Sequence, residues 1–195
     1  MGISSAADGA SPLKTTPALL RTYGRDESKP SFPDLIADAT SSAFHLELHD
    51  WHITDDPRFL AWKEGRPQPS VSAGSAFQDA VRGAVNRAVD VRRVRIVSEP
   101  VSDYIRWEHS ITADHNIAIG EDVRWLPRSQ TSTLALPGNP FWIFDGRVVR
   151  FSVFDGEGNV VGHQFSDDPR VTALCSSAFE TAWDLAIPHE DYTLG

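Results

Sequence analysis

Apolar positions along this chain recur with two periods, and the switches between them mark out the elements. From Phe44 to His49 the pattern alternates, with Phe44, Leu46 and Leu48 on one side and His45, Glu47 and His49 on the other, as in a half-buried strand. Before it, FPDLIADA sets Phe32, Leu35, Ile36 and Ala39 on one side of two helical turns. After it, Asp56-Pro57 pairs a capping residue with proline at the first helical position, and a short helix through Phe59, Leu60 and Lys63 ends at Gly65. Ser75 and Gln78 form a capping box ahead of a longer amphipathic helix carrying Phe77, Ala80, Val81, Ala84, Val85, Ala88 and Val89 on one face. That helix feeds RRVRIV, where Val94 and Ile96 alternate with Arg93 and Arg95. The arginines are expected on a solvated strand face.

Ser102 caps a second helix, SDYIRWEHS, of about two turns, and a short strand from Val123 to Leu126 is closed by Pro127. Ser129 to Leu136 reads as a flexible polar loop. NPFWIFDGRVVRFSVFDGEGNVVGHQFS reads as three strands joined at Asp145-Gly146 and at Asp155 to Gly158, an antiparallel meander. Asp168-Pro169 opens a last helix with Val171, Leu174, Cys175, Ala178, Phe179, Ala182, Trp183 and Ala186 on one face, and HEDYTLG follows as a polar tail. Met1 to about Pro30 is rich in Ser, Ala, Thr, Gly and Pro and is expected to be a mobile lead-in, with Arg66 to Gly74 a linker or surface loop. The predicted fold class is α+β or α/β: a mixed sheet with an antiparallel C-terminal meander, covered by helices. Residues 31–195 form its single domain.

Composition narrows the picture modestly. The chain has 195 residues, 41% of them hydrophobic, with ten Phe and six Trp, enough for one core. A formal charge of −9 opposes a phosphate backbone, and no recognition helix with basic flanks is present, so direct nucleic-acid contact is not expected. The single cysteine, Cys175, excludes an internal disulfide and falls on an apolar helix face, as in a reducing compartment. Neither a signal-peptide pattern nor eighteen consecutive apolar residues are present, so the expectation is a cytoplasmic protein with no membrane partner.

Candidate chemistry gathers in two places. His45, Glu47 and His49 on one strand face are a donor set suited to zinc or iron, but the plainer reading is the polar side of an edge strand, since no second cluster accompanies them. No metal or cofactor is therefore expected, with that trio the alternative. The denser set lies on SDYIRWEHS, after a strand end where open α/β sheets place ligands. Tyr104, Glu108 and His109 are the acid/base candidates if the protein is an enzyme. Glu47, Asp103, Arg106, Trp107, Arg124, Trp125 and Trp142 are the ligand-binding candidates. A buried Tyr and Trp with an arginine and a glutamate paired across the helix surface fits the same residues, and both readings stand.

The segments FHLEL, RIVSEPVSDYIRWEH, GEDVRWLPR, LPGNPFWIFDGRVVRF and IPHEDY resemble an uncharacterised family of high-GC Gram-positive bacteria, over roughly Phe44 to Tyr192. Its members are commonly encoded near helix-turn-helix regulators, so the resemblance implies such a regulator, or a small-molecule ligand, as partner, with a homodimer as one candidate assembly. The C-terminal half also resembles one repeat of the phospholipase D superfamily. That superfamily uses a histidine nucleophile, a lysine two residues on and an aspartate five residues beyond, and two repeats meet to cleave phosphodiesters. With Asp145 as the aspartate, Pro140 stands at the lysine position and Gly138 at the histidine position. The resemblance then implies a degenerate site that binds without cleaving by that mechanism. Asp145 is left as a turn former.

Overall fold

A computed structural model of the chain describes residues 19–51, 56–69 and 75–195. The strands are β1 (Arg21–Gly24), β2 (Ser42–Glu47), β3 (Asp90–Val97), β4 (Asp122–Pro127), β5 (Phe141–Phe144), β6 (Val148–Phe154), β7 (Val160–Ser166) and β8 (Ile187–Pro188). The helices are α1 (Phe32–Asp38), α2 (Pro57–Lys63), α3 (Ala76–Asn86), α4 (Asp103–His115) and α5 (Pro169–Leu185). All eight strands join one mixed sheet in the order β1-β7-β6-β5-β2-β3-β4-β8. β2, β3 and β4 run parallel, each followed or preceded by a helical crossover, and every other pairing is antiparallel.

Helices cover both faces. On one face α5 lays Cys175, Phe179, Ala182 and Trp183 on Leu46, Val94, Ile96, Leu126, Phe141, Ile143, Val149 and Phe151. On the other, α1 and α3 cover Ala43, Val91, Trp142 and Phe144, while α2 and α4 bring Phe59, Tyr104, Ile105 and Trp107 together with Val97 and Trp125. The helix starts follow the local chemistry read from the sequence: Ser31, Asp56, Ser75, Ser102 and Asp168 each accept a first-turn backbone N–H. A reciprocal capping box closes at Ser31 and Asp34. At Ser75 only one half forms, because the Gln78 side chain donates instead to the His115 carbonyl at 3.3 Å and ties α3 to α4.

Several sequence expectations need correction. Arg93 and Arg95 are not on a solvated face: each is about 5% exposed, because α4 crosses over that side of β3. α4 itself runs 13 residues rather than two turns. Arg21–Gly24, inside the expected lead-in, pairs with β7 as an edge strand, while residues 1–18 of that lead-in and residues 70–74 of the expected linker lie outside the described residues. In the loop expected to be flexible and polar, Thr131 is buried and Leu134 and Leu136 pack on the main core. The tail is also docked: β8 pairs with β4, and Tyr192 is buried, stacked on Trp125 at 5.5 Å, with its hydroxyl donating to Glu99 at 2.7 Å.

Candidate functional site

Residues opposite each other in a ladder share a face, so the strand register shows what the sheet assembles opposite α5. His45 on β2 pairs with Trp142 on β5, Trp142 with Arg150 on β6, and Arg150 with Phe165 on β7. One step along, Ser152 N–H donates to the Pro140 carbonyl and Ser152 pairs with His163. His45 stacks flat on Trp142 with centroids 4.4 Å apart, and His49 meets Phe154 edge-on at 4.6 Å. These rows enclose a pocket of about 120 Å³ lined by His45, Glu47, His49, Pro140, Trp142, Ser152, Phe154 and the neighbouring Leu48 and Val160. Four of its nine lining residues carry planar rings, His45, His49, Trp142 and Phe154.

Behind the pocket lies a buried charge network. Glu47 pairs with Arg93 and, at 2.9 Å, with Arg95 Nε; Arg93 Nε reaches Glu121 at 2.8 Å, and Arg95 reaches Glu108 at 2.7 Å. Tyr104 donates to Glu108 at 3.3 Å and Asn116 donates to Glu121 at 2.5 Å. The guanidinium groups also lie over aromatic faces, Arg93 over Trp142 at 5.5 Å and Arg95 over Trp125 at 5.1 Å. Burial opposes the Arg93 charge, but the Glu121 and Glu47 carboxylates overcome it and raise its pKa. Burial, joined by the charges of Glu108 and Glu47, raises the Tyr104 pKa well above the phenol range, so Tyr104 keeps its proton.

The pocket therefore unites Glu47 and Trp142 with His45 and His49, while the other sequence candidates lie elsewhere. Tyr104 and Glu108 are inside the charge network. Trp107 is buried and donates to Gln68 at 3.1 Å; Asp103 is exposed at the start of α4; Arg106 points toward the chain end, 3.4 Å from the Gly195 oxygen. Trp125 is buried beneath Arg95, and Arg124 is on the opposite face, 4.0 Å over Trp183. His109 packs against His189 at 4.5 Å, and burial, opposed by the Tyr192 backbone and reinforced by Arg95, keeps its pKa below the usual imidazole range. His45, Glu47 and His49 share a face as expected, but the Glu47 carboxylate is taken by two guanidinium groups. Among the described residues no three His, Cys, Asp or Glu converge on a metal-sized site.

The sequence reading passed over Pro140 as a lining residue, Ser152 and Phe154. Their signal is the alternation Arg150, Ser152, Phe154 along β6, opposite the core residues Val149 and Phe151. Asp145 is more than a turn former. At φ 51° it opens the β5–β6 turn, and its carboxylate accepts the N–H groups of Thr40, Ser41 and Ser42 at 2.8–3.1 Å, fastening the α1–β2 loop to the meander.

The chain belongs to the family described as a domain of unknown function, DUF6879, whose model matches residues 30–194. No curated protein matches it. Among solved structures it is similar to Nuc, a phospholipase D family member from Salmonella typhimurium, with a TM-score of 0.51 and 12% identity over 87% of this chain and 96% of Nuc. NucT from Helicobacter pylori gives a TM-score of 0.47 and 10% identity over 80% of this chain and 87% of NucT. TrmBL2, an archaeal chromatin protein with a novel mode of DNA binding, gives 0.45 and 18% over 79% of this chain. The chain spans 47% of the length of TrmBL2. The fold is thus that of the phospholipase D family. The expectation of no direct nucleic-acid contact is not kept: a net charge summed over the whole surface does not describe any one patch, and TrmBL2, which binds DNA, stands among the neighbours. No helix among the described residues is long and apolar enough to cross a membrane.

Proposed function

We propose that this chain is a catalytically degenerate phospholipase D-like domain that binds a small molecule in the pocket between β2, β5 and β6, as a cytoplasmic regulatory module working with a transcriptional regulator. The observation that carries this reading is the pocket itself. It is bordered by Pro140, which, with Asp145 taken as the motif aspartate, falls at the lysine position of the superfamily motif, with Gly138 at the histidine position. With neither imidazole nor ammonium at those two positions, the motif has no nucleophile of its own to form a phosphohistidine and no cation at the lysine position to hold the phosphate; the imidazoles that line the pocket, His45 and His49, come from elsewhere in the chain. What the pocket keeps is shape, ring faces and a few polar groups, the furnishing of a binding site.

The alternative, an enzyme of specialised metabolism using Tyr104, Glu108 and His109, draws less support. Tyr104 and Glu108 are 5% and 8% exposed and bonded to each other, and Glu108 also pairs with Arg95, away from the pocket lining. The test is hydrolysis of bis(p-nitrophenyl) phosphate by the full chain, alongside a thermal-shift screen of small metabolites. The expected result is no nitrophenol release above buffer, with at least one stabilising ligand whose effect is lost in a Trp142→Ala variant. Metal-independent turnover that survives in the wild type and disappears on altering pocket residues would overturn the reading.

A further inference from the structure

Arg150 stands apart from the other inward-facing arginines. Arg58, Arg93, Arg95 and Arg128 each have a carboxylate partner, and Arg124 lies on the Trp183 ring and donates to the Trp183 carbonyl. Arg150 is half-buried, its Nε is buried with no hydrogen-bond partner, and among the described residues it takes part in no ion pair within 4.0 Å. Among the described residues its one polar contact is to His163 Nε2, at 2.9 Å. His163 Nδ1 lies 3.3 Å from the Phe151 carbonyl, so the consistent tautomer carries its proton on Nδ1 and accepts from Arg150 through Nε2. Burial, then the neighbouring Arg150 charge, pushes the His163 pKa down to about 4, in keeping with a neutral ring that positions a cation. Guanidinium does not give up its proton in proteins, so burying one without a counter-charge is unfavourable unless something else supplies the anion.

The placement says where that anion would be. Arg150 is the ladder partner of Trp142, and His163 is the ladder partner of Ser152; Trp142 and Ser152 both line the pocket. The negative charge of Glu47, the acidic group in that lining, is engaged by Arg93 and Arg95. Building on the pocket as a ligand site, we propose that Arg150, steadied by His163 and assisted by the Ser152 hydroxyl, is an oxyanion subsite for a small ligand whose planar body lies against Trp142 and Phe154.

Isothermal titration of the full chain with phenyl phosphate, benzoate and the uncharged benzyl alcohol tests this. Wild type is expected to bind at least one of the two anions more tightly than the alcohol, and the comparison of phosphate with carboxylate identifies the headgroup. Arg150→Gln is expected to weaken that anion by about tenfold or more, with benzyl alcohol unchanged. Arg150→Lys, which keeps charge without the planar fork, should fall between. Because Arg150 has no ion pair to lose among the described residues, unliganded Arg150→Gln should melt within a few degrees of wild type. Unchanged anion affinity in Arg150→Gln, or its failure to fold while Arg150→Lys folds, would overturn the subsite and leave the pocket reading intact. No binding of any of the three probes to wild type at about 10 mM would overturn both.

Discussion

Asp145 shows how one side chain at a turn can fasten a distant loop. Burial pushes its pKa up, but the N–H groups of Ser42, Ser41 and Thr40 outweigh that and hold it below the usual carboxylate range. The unfolded carboxylate takes a proton near 3.8 and the folded one only at lower pH, so this stabilisation is complete above about pH 4 and is lost as the pH falls below it. Asp145→Asn keeps the size and tolerates the left-handed backbone but removes the charge. Urea unfolding at pH 7 should show a loss of about 1–3 kcal/mol, shrinking toward pH 3. His163 acts in a different window. Its unfolded ring protonates near 6.5 and its folded ring only near 4, so the unfolded state binds more protons between those values and stability declines as the pH drops through them. With solvent screening allowed for, His163→Gln should flatten that decline by about 1 kcal/mol, read from urea midpoints at pH 7 and pH 4.5.

At the scale of elements, β3 separates what a sequence shows from what it withholds. Alternation along Val94, Arg95, Ile96 makes the strand legible, and the caps at Asp56, Ser75, Ser102 and Asp168 make the helices legible, because both signals are local. Whether the arginine face is wet depends on α4 crossing it, and α4 brings Glu108 from 13 residues downstream of Arg95. The pocket was harder still to read. Glu47 and Trp142 could be named as candidates, but Ser152 and Phe154 join them only through the β2–β5–β6 register, which no local pattern encodes. The resulting network sets three carboxylates, Glu47, Glu108 and Glu121, against two guanidinium groups, Arg93 and Arg95. Negative charge is in excess, so losing an arginine must cost more than losing a carboxylate. Arg95→Met should destabilise by about 3–5 kcal/mol and Glu108→Gln by about 1 kcal/mol, measured by guanidinium unfolding. Equal losses would contradict this reading of the charge balance.

On the scale of the whole molecule, the sheet is closed at its β4 edge by the last residues of the chain. HEDYTLG is polar in sequence, and a lone tyrosine in such a segment carries no periodic signal, so its docking could not be read in advance. In the fold, Ala186 leaves α5 in extended conformation, Ile187 and Pro188 pair with β4, and Trp125 Nε1 donates to His189 Nδ1 at 3.1 Å. Tyr192 then lies on Trp125, which is also the ring beneath Arg95. The tail is thus packed on the same apolar cluster as α4 and Val97, and that cluster shares β3 and β4 with the core beneath α5. Elements that share strands in this way should unfold together rather than in turn. Tyr192→Phe, which loses only the bond to Glu99, should cost about 1 kcal/mol, and Tyr192→Ala, which also empties the space over Trp125, about 3–5 kcal/mol. Differential scanning calorimetry should show a single transition displaced to lower temperature in both variants. A separate early transition in Tyr192→Ala, with the main one unmoved, would show instead that the tail is an independent appendage and that the sheet does not need it.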